Sequence, residues 1–142
     1  MKFTRLADWL RWQESLHPSA IDLGLERPRS VWTRLGASRV PVVIAVGGTN
    51  GKGSCVAFLE AILRHAGYRT GCYTSPHLVR YNERIAIDGE PVSDEVLMSA
   101  FQRVEEARGD TRLTYFEFGT LAALDIFARS RVDVAVLEVG LG

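Results

Sequence analysis

An α/β fold, with a mainly parallel sheet flanked by helices around a phosphate-binding loop, is predicted by three observations on this 142-residue chain. Two runs, Val40 to Val46 and Val132 to Val139, are almost continuously apolar and β-branched, the pattern of strands that are covered on both faces. Stretches with helical periodicity lie around them. The first run leads through a glycine-rich turn into such a helix and then a second strand. That is a βαβ unit of about 35 residues, with an expected right-handed crossover.

The elements follow in order. Leu6, Trp9, Leu10, Gln13 and Leu16 mark a first helix, which His17-Pro18 should end. After the short loop AIDLGLERP, Pro28 opens a second helix through Leu35, with Gly36 placed as a left-handed cap. Beyond the glycine turn, Cys55, Phe58, Leu59, Ile62, Leu63 and Ala66 repeat at three and four, and Gly67 stops the run. YRTGCYTS reads as the next strand. ERIAIDGEPV alternates and turns at Asp88-Gly89, as a small hairpin would. Ser93 is a helix cap followed by acids in the first turn, and Leu97, Ala100, Phe101 and Val104 form the apolar face of that helix. FGTLAALDIFARSR is a further helix, and VDVAVLEV the last strand.

Composition narrows the function classes. Apolar residues make up 46% and charged residues 24%, as in a soluble globular domain. Seventeen basic residues balance seventeen acidic ones, so no global field gathers nucleic acid or an anionic membrane. The N-terminus lacks a signal-peptide core, and no apolar run is long enough for a membrane span. Cys55 and Cys72 fit neither a zinc spacing nor a disulfide framework, and are expected as reduced packing residues of a cytoplasmic protein.

The chemistry concentrates in VVIAVGGTNGKGS. Gly47, Gly48, Gly51 and Gly53 let the backbone curl and turn N–H groups inward at a helix start, which makes an anion cradle. Lys52 supplies a charge for the β and γ phosphates, and Ser54 a hydroxyl for magnesium. The usual G-x-x-x-x-G-K-[ST] pattern is broken twice: Val46 stands at its first position, and glycine follows the lysine. A glycine turn with an incidental lysine is the bland alternative. No G-x-G-x-x-G supports a dinucleotide site.

Five segments, IDLGLER, GGTNGKGS, TSPHLVRYNERI, FEFGTLAAL and LEVGLG, together resemble the dihydrofolate synthase/folylpolyglutamate synthase family of the Mur ligase superfamily. The resemblance runs from Ile21 to Gly142 and accounts for both loop departures. It implies ATP-dependent joining of L-glutamate to dihydropteroate and folates through an acyl phosphate, with Gly48, Thr49, Asn50, Gly51, Lys52, Gly53 and Ser54 binding ATP. It further implies magnesium ligation by Ser75 and Glu138, with Ser54. Glu138 also ends the last strand, where parallel sheets gather ligands, although an acid that only caps the next turn would look the same. For the pterin end the resemblance points to Ile21, Asp22, Leu23 and Gly24 and to Thr114, Tyr115, Phe116 and Glu117. Core packing by those aromatics is the competing reading.

His77 is read as organising the turn after Pro76 at least as readily as a catalytic group. Arg80, Asn82, Glu83 and Arg84 either border the substrate cleft or form a solvated charged turn. By the resemblance, residues 1–142 are the N-terminal part of the ATP-binding domain, without the C-terminal glutamate-binding domain, so the chain alone is expected to lack turnover. The full protein is expected to be a monomer using small-molecule substrates, without nucleic acid or membrane. A Mur-type ligase or P-loop ATPase for another carboxylate, or a nucleotide-binding fragment without catalysis, are the alternatives.

Overall fold

The computed structural model describes residues 1–16, 24–37, 39–48 and 50–139. Its helices are α1 (Leu6–Ser15), α2 (Glu26–Leu35), α3 (Lys52–His65), α4 (Asp94–Arg108) and α5 (Tyr115–Arg129). Its strands are β1 (Val42–Val46), β2 (Thr70–Tyr73), β3 (Ile85–Ile87), β4 (Glu90–Pro91) and β5 (Val134–Glu138). The chain divides into two compact units, residues 1–38 with 94–126 and residues 39–93 with 127–142. His17 and Pro18, expected to end α1, lie outside the described residues.

The first unit is helical. Phe3, Trp9, Trp12, Phe101 and Phe118 form a chain of ring contacts with centroids 5.2 to 5.9 Å apart, several of them edge to face. The expected face of α4 is the buried one: Leu97, Ala100, Phe101 and Val104 are all fully covered. Gly36 ends α2 in the left-handed conformation, at φ 68°, as the sequence predicts. The helix α2 begins two residues before Pro28.

The second unit holds a mixed five-stranded sheet in the order β1-β5-β2-β3-β4. The strands β1, β5 and β2 run parallel, and the hairpin β3–β4 adds an antiparallel edge. Its turn has positive φ at both Asp88 and Gly89, the conformation that suits a two-residue hairpin. One face of the sheet packs on α3 through Val46, Val56 and Val136, with Ile44, Leu59, Leu63 and Cys72 around them. On β2, Gly71 is required by close approach: a Cβ there would lie 2.6 Å from the Phe127 ring.

Two expectations are corrected. The strand β1 is not covered on both faces; it is an edge of the described sheet, with Val42 and Val43 exposed, because β5 is its only strand partner among the described residues. In α3 the buried side carries Val56 and Glu60, with Leu59 and Leu63 half-covered, whereas Cys55, Phe58, Ile62 and Ala66 are exposed. Apolar periodicity marks the helix correctly but does not say which apolar residues this chain covers.

Candidate active site

The strand β1 delivers the chain to Gly47 and Gly48, and α3 starts at Lys52 directly after Gly51. Gly48 has φ 131° and Gly51 φ 76°, conformations that side chains resist, so glycine is needed at both. A Cβ added at Gly48, Gly51 or Gly53 would meet nothing within 4 Å, so the backbone there faces open space. The first helical hydrogen bond runs from the Cys55 N–H to the Gly51 carbonyl at 3.0 Å. The N–H groups of Lys52, Gly53 and Ser54 therefore have no intrahelical acceptor and can serve an anion. Thr49 lies outside the described residues.

Beside this loop opens a cleft of about 740 Å³. Lys52, Ser75 and Glu138 all line it, so the structure gathers one residue from the loop, one from the end of β2 and one from the end of β5. Register explains the last of these. Glu138 is paired with Val46, and the Val139 N–H bonds the Val46 carbonyl at 2.8 Å, which seats the end of β5 against the start of the loop. Among the described residues the side chains of Lys52 and Glu138 have no ion-pair or hydrogen-bond partner. Ser54 is exposed and does not line the cleft.

The donor set fits a magnesium nucleotide. Magnesium keeps waters and phosphate oxygens and needs only one or two protein oxygens, here a hydroxyl and a carboxylate. Among the described residues no group of three or more His, Cys, Asp or Glu could form a protein-only metal cage.

The floor of the cleft was missed from sequence. Val56, Glu60 and Arg64 continue from Lys52 at intervals of four along α3 and share its side. Arg64 donates to both Glu60 oxygens, at 3.2 and 2.9 Å, and the Thr70 hydroxyl donates to Oε2 at 2.6 Å. Burial pushes the Glu60 carboxyl up, but the bonds from Arg64 and Thr70 outweigh it and hold the group below its ordinary value. Cys72 also lines the cleft; burial, aided by the charge of Glu60, pushes its thiol up to about 12, so it stays protonated and unreactive. The i, i+4 spacing from Lys52 was the available signal for Glu60.

The turn after β2 is held largely by its own groups. The Glu83 carboxylate accepts from the N–H groups of Leu78, Val79 and Arg80 at 2.9, 3.1 and 2.9 Å. These backbone bonds, that from Arg80 foremost, hold its carboxyl below the ordinary range. His77 Nδ1 accepts from Arg84 Nε at 2.8 Å, which leaves the ring proton on Nε2, and its ring meets that of Tyr81 edge-on. His77 is thus an organiser of this turn.

In the helical unit, Ile21, Asp22 and Leu23 lie outside the described residues, and Gly24 lies just before α2. Thr114 and Glu117 form a capping box: the Glu117 N–H donates to Thr114 Oγ1 at 3.1 Å, and the Thr114 N–H to Glu117 Oε1 at 2.9 Å. Both side chains are buried, Tyr115 is half-buried, and Phe116 is exposed. The T-x-x-E spacing signals a helix start at Tyr115, three residues before the one read from apolar periodicity.

The same fold recurs in known proteins. Dihydrofolate synthase/folylpolyglutamate synthase of Escherichia coli strain K12 is 51% identical over 138 residues, which cover 96% of this chain and 33% of that protein. The chain is homologous to the N-terminal third of the dihydrofolate synthase/folylpolyglutamate synthases. Escherichia coli FolC in complex with DHPP and ADP superposes with a TM-score of 0.92 at 51% identity, over 98% of this chain and 34% of that one. The bifunctional folylpolyglutamate synthase/dihydrofolate synthase of Yersinia pestis, complexed with AMPPNP and Mn ion, gives a TM-score of 0.91 at 50% identity over 98% and 34% of the two chains. The chain spans about a third of the length of the curated relatives it matches. No protein-family model matches it.

Proposed function

We propose that this chain is the nucleotide-binding part of an ATP-dependent ligase that joins L-glutamate to dihydropteroate and to folates. The convergence of Lys52, Ser75 and Glu138 on one cleft beside the glycine loop carries the reading. The nucleotide and metal complexes of the FolC-type relatives support it.

A carboxylate is a poor electrophile, and bringing it to a triphosphate sets two anions against each other. In the proposed reaction a pteroate carboxylate oxygen attacks the γ-phosphorus and ADP leaves; the glutamate amine then attacks the carbonyl carbon of the acyl phosphate, loses a proton and expels phosphate, forming the amide. The loop N–H groups hold the phosphate oxygens, and Lys52 offsets the charge that builds between the two anions. Ser75 and Glu138 would hold magnesium, which would supply positive charge to offset that of the phosphate oxygens. Phe116 offers a stacking face to the pterin, and Gly24, just before α2, belongs to the same proposed site. The full protein works in the cytoplasm as a monomer, without nucleic acid or membrane. Among the described residues no helix is long and apolar enough to cross a membrane.

Calorimetric titration with magnesium-AMPPNP tests the nucleotide reading: saturable binding to this chain is expected, and its absence overturns it. Turnover needs the groups that the longer relatives carry beyond this third. Glutamate-dependent release of ADP by the chain alone is therefore expected to be absent, and measurable release would overturn that assignment.

A further inference from the structure

We propose that Arg27 is a positioning residue for the pteroate end of the substrate, acting through Glu117 and the first turn of α5. The inference rests on the proposed reading that Gly24 and the Thr114–Glu117 segment border that end.

The Glu117 carboxylate is held from two sides. From its own helix comes the capping box with Thr114. From the start of α2 comes the guanidinium of Arg27, whose Nη1 donates to Oε1 at 3.1 Å and Nη2 to Oε2 at 3.0 Å. Nη1 also donates to the Arg112 carbonyl at 2.6 Å, two residues before the cap. One planar fork thus ties the start of α2 to both the start of α5 and the chain entering it. A bidentate contact fixes orientation as well as distance, which a lysine ammonium cannot do.

Two consequences follow for ligand binding. Thr114 and Glu117 are buried and engaged in these bonds, so they offer a ligand little surface of their own. Phe116, in contrast, is 54% exposed between them, and its backbone is fixed by the cap on either side. A flat ring that packs on Phe116 needs that face held in place relative to the α2 start, where Gly24 lies. Arg27 provides the connection without touching the ligand.

Calorimetry on the 142-residue chain with two probes, pteroate and magnesium-AMPPNP, tests this. Arg27→Gln is expected to weaken pteroate binding by about tenfold, while magnesium-AMPPNP affinity stays within about twofold. Arg27→Lys should fall between the two. Unchanged pteroate affinity in Arg27→Gln, or an equal loss for both probes, would overturn the positioning role while leaving the ligase reading intact. If wild-type chain gives no heat with pteroate, the pteroate subsite itself is overturned, and this inference with it. Should Arg27→Gln not fold, Glu117→Gln decides: the same selective loss supports the role, and no loss or an equal loss overturns it.

Discussion

Charges at the two ends of the parallel strands are arranged in opposite ways. At the N-terminal end of β1, β2 and β5, Asp133 accepts from Arg39 at 3.0 Å and from the Arg69 N–H at 2.8 Å. Arg69 in turn donates to Asp88 at 3.0 Å, and Asp88 accepts the Thr70 N–H at the same distance. Each charge there has a partner within the chain. At the C-terminal end Lys52 and Glu138 line one cleft, and neither has such a partner among the described residues. Matched charges fix the strand starts; unmatched ones are what a charged ligand can complete. Stability and binding are thereby separated along the strand axis.

The largest expected effect tests the unmatched end. Lys52→Ala removes a charged donor from the cradle, and a charge-assisted hydrogen bond contributes roughly 1.5–3 kcal/mol. Magnesium-AMPPNP affinity should fall roughly 10- to 100-fold by calorimetry. The thermal midpoint should hardly move, since the Lys52 side chain has no hydrogen-bond or ion-pair partner among the described residues. A large drop in the midpoint would show that the two ends are not separated.

Gln13 asks whether an unmatched polar group marks a binding site by itself. It lies in α1, fully buried, and neither amide atom has a hydrogen-bond partner among the described residues. Lys52 and Glu138 remain partly open to water, whereas Gln13 loses water and gains nothing in return. Replacing it by leucine removes a desolvation cost of about 1–3 kcal/mol at similar volume. Gln13→Leu should raise the thermal midpoint and leave both nucleotide and pteroate binding unchanged. A lower midpoint would mean that the amide has a role of its own, and would break the distinction between buried and open unmatched groups.

The contrast between the ends also explains what the sequence discloses. Glycines at positive φ, a lysine at a helix start and an acid at a strand end are local requirements, so Gly48, Gly51, Lys52 and Glu138 are legible in order along the chain. Spacing also announces α4 and its buried face. The matched end is not legible, because Asp133, Arg39 and Arg69 are brought together only by parallel pairing of strands distant in sequence. Covering of β1 was misjudged for the same reason: an apolar strand records what it can bury, and its neighbours decide what is buried. The role of Glu117 was legible in part. Thr114-x-x-Glu117 states the cap, but Arg27 joins it across 90 residues.

The smallest expected effect lies at the matched end and is read through pH. The backbone N–H of Arg69 foremost, and then Arg39, hold the Asp133 carboxyl below its ordinary value, while partial burial opposes them. A carboxyl depressed in the folded state binds its proton less readily there than in the unfolded chain. Its contribution is therefore complete above the unfolded value of about 4 and is lost as pH falls through the lower folded value. Asp133→Asn keeps an acceptor for the Arg69 N–H but loses the charge facing Arg39. The variant should be slightly less stable than wild type at neutral pH. Its stability should also fall less steeply below about pH 4, so that the two thermal-midpoint curves converge in acid. Glu60 and Glu83 remain in both proteins and share the same direction, so the acid slope should be reduced and not abolished. Magnesium-AMPPNP affinity measured at neutral pH should be unchanged. Parallel midpoint curves would exclude the charge of Asp133 as a source of stability. A loss of nucleotide affinity would show that the N-terminal end of the strands transmits its state to the glycine loop.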